Sequence, residues 1–136
     1  MKICKSVAKN ESVLHPLIDI NNKTIFLMQL SPFPFSITDF ECIEPEIKNG
    51  TTGFAEWKTI YRDDIRIRQV SYSANYVADH WCSKGHILFC VEGSIETELA
   101  DGSKHLLTKG KLYTVGDNNG EHRTYSKDGC ILFIVD

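Results

Sequence analysis

The chain has 136 residues, enough for one domain that buries about two-thirds of its unfolded surface without disulfide or metal staples. Hydrophobic residues make up 42% and charged residues 24%, and 15 basic against 18 acidic side chains give a net charge of −3. Scattered lysines and arginines exclude the basic footprint of a nucleic-acid binder, and no apolar run approaches the roughly 18 residues of a membrane span.

Residues 1–30 differ in texture from the rest of the chain. Lys9-Asn10-Glu11 and Asn21-Asn22-Lys23 are polar, Pro16 interrupts the apolar residues between, and no clear period runs through them. The segment is expected to be an arm or extension, either an edge strand or partly disordered. Its lysines are not followed by an apolar segment and cleavage site, so a cytoplasmic protein without a membrane partner is expected. Ser31-Pro32-Phe33-Pro34-Phe35 is an extended boundary, because each proline keeps its predecessor out of the helical region. One short helical turn fits within residues 37–48, and Asn49-Gly50 is a turn signal.

Beyond Gly53 the pattern is all β. Residues 54–60 alternate, Asp63-Asp64 breaks the run, and residues 65–72 form a second strand with Arg66, Arg68, Val70 and Tyr72 on one face. Ser73-Ala74-Asn75 turns the chain. A strand begins at His86 and is expected to end at Gly93, with residues 95–99 returning. Asp101-Gly102 is a hairpin signal. Residues 104–107, a turn at Thr108-Lys109-Gly110 and residues 112–115 come next. A polar loop from Gly116 to Gly120 delivers His122, and Lys127-Asp128-Gly129 turns into a last strand over residues 130–135. Short strands with turn signals every 8–12 residues specify a sandwich or barrel. In a small barrel, inward side chains from different strands converge on one ligand-sized space.

The chemistry concentrates in Asp79-His80-Trp81-Cys82-Ser83-Lys84-Gly85-His86. Three candidate ligands fall within seven residues of a chain with only five histidines, and His122 arrives 36 residues later. If residues 80–82 are a strand, His80 and Cys82 share a face. Imidazole and thiolate are common transition-metal ligands. The other histidines have no such company: His15 stands alone, and His105 comes just after the Asp-Gly turn and is expected to be solvated. Asp79 should face outward, and Glu92 should be a turn residue. The five cysteines, Cys4, Cys42, Cys82, Cys90 and Cys130, have no disulfide spacing. Cys90 and Cys130 are expected in the core because they sit in apolar strands, and Trp57 and Trp81 are expected there too.

This run resembles the cupin family. That family's first motif ends in His-x-His, three or four residues, Glu, six residues, Gly. Here the frame reads His80-x-Cys82, three residues, His86, six residues, Gly93, and His122 matches the histidine of the second motif. A closer resemblance is to the small DHCW-motif cupins, carried by residues 78–90, Ile65-Arg66-Ile67-Arg68, Glu121-His122-Arg123 and Leu132-Phe133-Ile134-Val135-Asp136. The last two letters of that label are transposed here, as Trp81-Cys82. The resemblance covers residues 31–136 and implies a single-domain, all-β cupin-type barrel (a double-stranded β-helix or jelly roll) after the N-terminal extension.

It also implies one divalent transition metal, zinc, iron, nickel or copper, held by His80, His86 and His122. Cys82 is either a fourth ligand, which closes a structural zinc site, or stays unbound and leaves positions for water or substrate; the open site is favoured. Arg66 and Arg68, if inward, could clamp a carboxylate, and Tyr113 is a further wall residue. Three classes remain: a metal-dependent isomerase or dioxygenase acting on a small polar molecule, a non-catalytic metal or metabolite binder, and a structural zinc barrel. A small-molecule ligand and a homodimer are expected.

Overall fold

Apolar side chains at every second position, punctuated by Gly, Asn and Asp, fold the chain as antiparallel β structure. The computed structural model describes residues 30–136 and, before them, β1 (Leu17–Ile18) and β2 (Thr24–Ile25), which pair antiparallel. The backbone separates into two compact units, Met1–Pro34 and Phe35–Asp136. Of the expected extension, only β1, β2 and residue 30 are described. The polar runs at residues 9–11 and 21–23, the interruption at Pro16, and Cys4 and His15 lie outside the described residues.

The larger unit opens with one 3-10 turn, Phe40–Cys42, where the sequence predicts a helical turn. Asp39 caps it, its Oδ1 accepting from the Glu41 amide at 2.9 Å. Nine strands come after it: β3 (Glu46–Asn49), β4 (Phe54–Arg62), β5 (Ile65–Tyr72), β6 (Tyr76–Val77), β7 (His86–Leu99), β8 (Lys104–Thr108), β9 (Leu112–Val115), β10 (His122–Ser126) and β11 (Cys130–Val135). Their order is β3-β4-β5-β11-β7-β10-β6, with β8 and β9 also paired to β7. Thr52 bridges Val77, which returns the last strand of that order to the β3–β4 connection. Among the described residues there is no α-helix, and none long and apolar enough to cross a membrane.

One expectation about strands needs correction. Gly93 does not end its strand. Residues 86–99 form one strand that turns a corner there, and its two halves pair with different neighbours. Gly93 has φ +77°, and the register against β11 slips beside it, so Val91 is an extra residue in the ladder. A bulge plus a left-handed glycine bends a strand without breaking it. For β5 the sequence leaves open which way its Arg66-Arg68-Val70-Tyr72 face points; the strand lies between β4 and β11, and that face points inward.

Ala55, Val70, Leu88, Cys90, Ile95, Leu132 and Ile134 form the centre of the core, and Cys130 joins it. Both interior cysteines are core residues, as expected. The strands that build this apolar body also carry the polar residues of a cavity wall, among them Arg68 on β5 and His86 on β7.

Candidate metal centre

Three elements meet at one end of the barrel. Residues 78–85 form no strand; only Cys82 makes a β-bridge, to His122. The expectation that His80 and Cys82 share a strand face therefore fails. His80 instead turns aside, its Nδ1 bonded to the carboxylate of Asp79 at 2.5 Å and its side chain 70% exposed. Cys82 is pinned through the backbone: its amide donates to the His122 carbonyl at 2.8 Å, and the His122 amide donates to the Cys82 carbonyl at 3.0 Å. The loop 116–120 is tied to the same segment, since the Gly85 amide donates to Asp117 Oδ1 at 2.7 Å and the Asn118 amide donates to the Ser83 carbonyl at 2.8 Å. Gly85 permits this approach. A Cβ there would stand 2.7 Å from the Asp117 nitrogen.

These ties gather Cys82, His86 and His122, whose ligand atoms all lie within 4.8 Å of one another. Cys82 Sγ is 3.4 Å from His86 Nε2, and the two imidazole planes cross at 88° with centroids 5.2 Å apart. Nδ1 of His86 faces Asp136 Oδ2 at 2.8 Å, and Nδ1 of His122 faces the Gly120 carbonyl at 3.2 Å. A carbonyl oxygen can only accept, and so can an ionised carboxylate, so both Nδ1 atoms donate and both Nε2 atoms keep their lone pairs. A carboxylate behind a histidine is the usual device for fixing the tautomer of a metal ligand. Burial pushes the His86 imidazole below its ordinary range against the opposing pull of Asp136, which favours the neutral, ligating form.

His80, expected as a ligand from the motif frame, is not among the three that converge. Cys82 is. His86 and His122 come together as expected. Asp79 is exposed, as expected, whereas Glu92 is no turn residue: it is exposed but lies within β7, paired with Ile131 beside the Gly93 corner.

The cluster opens into a cavity of about 270 Å³. Arg66, Arg68 and Tyr113 line it, and so do Trp57 and Leu88. Arg66 and Arg68 do clamp a carboxylate, but it is the protein's own. Arg66 grips Asp136 through Nε and Nη2 at 2.7 and 2.9 Å, and Arg68 Nη2 reaches Oδ2 at 2.6 Å. The Asp136 side chain is fully buried. Burial alone would raise its carboxyl, yet Arg66 and Arg68 outweigh that and hold it below the usual carboxylate range. Burial also pushes the Tyr113 phenol up to about 12, so it is a neutral hydroxyl in the wall. Trp57 is no simple core residue: its indole lies under the Arg68 guanidinium, 4.5 Å from centroid to Cζ. Trp81 is 38% exposed and carries Arg123 over its ring at 4.8 Å. Sequence reasoning misses Asp136 and the role of Trp57. Only the pairing of β11 with β5 places Asp136 between two arginines.

No model of a known protein family and no curated protein matches the chain. Solved structures do. The RmlC-like cupin from Shewanella frigidimarina NCIMB 400 matches with a TM-score of 0.56 and 20% identity, over 80% of this chain and 92% of that one. The fold is a cupin barrel. Two further structures agree: a predicted oxalate decarboxylase from Thermotoga maritima (TM-score 0.63, 11% identity, 74% of this chain and 96% of that one) and ectoine synthase from P. lautus (TM-score 0.61, 14% identity, 74% and 76%). The donor set is one sulfur and two nitrogens, a soft face for a transition metal.

Proposed function

We propose that the chain is a metal-dependent cupin of the DHCW-motif kind, binding one divalent transition metal through Cys82, His86 and His122, with the remaining coordination positions open to a small polar ligand. The observation that carries this reading is the three-donor cluster facing the cavity, which His80 lines without joining the three. Three protein ligands with a free position mark catalytic or ligand-binding zinc sites, whereas structural sites close with four. One thiolate and two oriented neutral imidazoles suit zinc best, and iron, nickel or copper also accept them. Bound there, such an ion supplies Lewis acidity toward an oxygen-bearing ligand. The reading includes a cytoplasmic homodimer.

Zinc and cobalt titration of the full chain tests it. About one ion per chain should bind, with a near-ultraviolet thiolate-to-cobalt charge-transfer band that vanishes in Cys82→Ser. His80→Ala should keep its metal, and a Cys82→Ala, His122→Ala double variant should lose it. Zinc at a thousand times its dissociation constant should add roughly 4 kcal/mol to the unfolding free energy. Stoichiometric metal retained by the double variant sinks the assignment.

A further inference from the structure

We infer that two copies of this chain pair by reciprocal exchange of an apolar strap: Phe35 and Ile37 of each copy pack on the outer face of β7, β9 and β11 of the other. The inference rests on the homodimer in the proposed reading and goes further by naming the surface that makes it. It is independent of the metal.

The receiving face follows from strand alternation. Leu88, Cys90, Leu132 and Ile134 belong to the core, so Ile87, Phe89 and Phe133 point outward. Phe89 stands opposite Phe133 on one side and Leu112 on the other, so the three strands share one apolar surface. Ile87, Leu112 and Phe133 are all exposed there, and so is Val91 at the bulge. The chain itself covers only the β11 margin of this surface. There the Phe40 ring meets Phe133 edge-on at 6.5 Å, and Glu41 reaches Lys58 of β4 at 3.8 Å. No charged side chain stands among the apolar residues, so a charged partner finds nothing to pair with.

The strap is the segment just before that covering turn. Arg62 Nη2 donates to Ser36 Oγ at 2.8 Å and to Thr38 Oγ1 at 3.4 Å, which ties both residues to the end of β4. The side chains that alternate with them are turned to water: Phe35 is 92% exposed and Ile37 is 87% exposed. A single apolar residue on a surface needs no explanation. A tethered pair of large ones, beside a bare apolar sheet, forgoes burial twice over, and that burial is the main driving force of association.

Each copy thus carries both halves of a contact, a projecting pair and a bare face, and a two-fold dimer joins each half to its opposite. Area agrees. At roughly 200 Å² for a large apolar side chain laid open, the exposed fractions of Phe35, Ile37, Ile87, Val91, Leu112 and Phe133 leave on the order of 700 Å² of apolar surface per chain. One partner in a standard interface gives about 800 Å². Exposed Ser36, Lys111 and Thr114 beside these residues supply the polar rim.

Analytical ultracentrifugation of the full chain tests the inference with Ile37→Lys and Leu112→Glu, each alone and the two mixed. Both side chains are exposed, so both variants should keep the wild-type circular dichroism and zinc stoichiometry. The wild type should be a dimer at micromolar concentration, and each variant should have a dimer dissociation constant at least about tenfold higher. An equimolar mixture should recover dimers, because a mixed pair keeps one unaltered strap-to-face contact and sets the new lysine against the new glutamate at the other. A mixture that stays monomeric overturns the reciprocal contact. A dimer kept in either variant alone overturns the inference and leaves the homodimer standing; kept only in Ile37→Lys, it means that two faces meet without the strap. A monomeric wild type removes the inference and the homodimer together and leaves the metal centre untouched. A dimer that behaves as expected but takes no zinc supports the inference and removes the metal centre.

Discussion

Asp136 does three jobs with two oxygens. It neutralises Arg66, holds the buried Arg68, and fixes the His86 ring so that Nε2 is left free to ligate. Asp136→Asn should therefore fail in two separable ways. Leaving two guanidinium groups against a neutral amide should cost about 3–5 kcal/mol in denaturant unfolding. Zinc affinity, measured by competition with a chelator, should fall about 10–100-fold, because His86 loses its anionic partner. Unchanged affinity in a folded variant would remove Asp136 from the metal centre. His86 and His122 are legible in the sequence because imidazole near a motif is visible in one dimension. Asp136 is not: it stands 50 residues from His86 and acquires its role only through strand pairing. His80 fails for the opposite reason. Period-two reasoning requires a strand, and Asp79 offers its neighbour a local hydrogen bond instead.

Sharp turns make several elements legible in advance. The strands expected at residues 65–72, 112–115 and 130–135 have the observed limits of β5, β9 and β11, since Asp63-Asp64, Gly110 and Gly129 bound them closely. Residues 86–99 read as two strands because glycine looks the same in sequence at a turn and at a corner. Only the neighbouring strand distinguishes them. At this corner a Cβ on Gly93 would lie 2.5 Å from the Gly129 carbonyl oxygen and 2.9 Å from Cys130 Cα. Gly102, at φ +85°, would meet nothing within 4 Å. Gly93→Ala should thus cost clearly more than Gly102→Ala, which bears only the backbone penalty of about 1 kcal/mol. Urea unfolding of the two variants compares them directly, and equal losses would mean that β7 does not depend on a tight corner.

At the scale of the whole molecule, the interior resists alkali through several buried acids, Cys130 and Tyr113 among them. Burial pushes the Cys130 thiol from 9.0 up to about 11 and the Tyr113 phenol from 10.0 up to about 12. Both folded values are raised, so the unfolded chain sheds these protons first as pH rises. The stabilisation is intact below about pH 9 and is lost progressively up to about pH 12. Each displacement of that size is worth roughly 2–3 kcal/mol. Unfolding curves of the metal-free protein should show this alkaline decline, and Tyr113→Phe should flatten its upper part. A decline unaltered in that variant would mean that Tyr113 is open to solvent.

The reciprocal amide pair between Cys82 and His122 has a consequence for timing. Each residue donates to the other's carbonyl, so neither backbone can move off alone, and the sulfur and one imidazole are held in register by peptide groups. An ion arriving at this mouth meets donors whose spacing is already set. It needs only side-chain torsions, which relax in nanoseconds or less, and no refolding of a loop. How quickly one ion replaces another is then governed by shedding water and breaking metal–donor bonds. On the proposed metal reading, the barrel would exchange its ion while its shape stays constant.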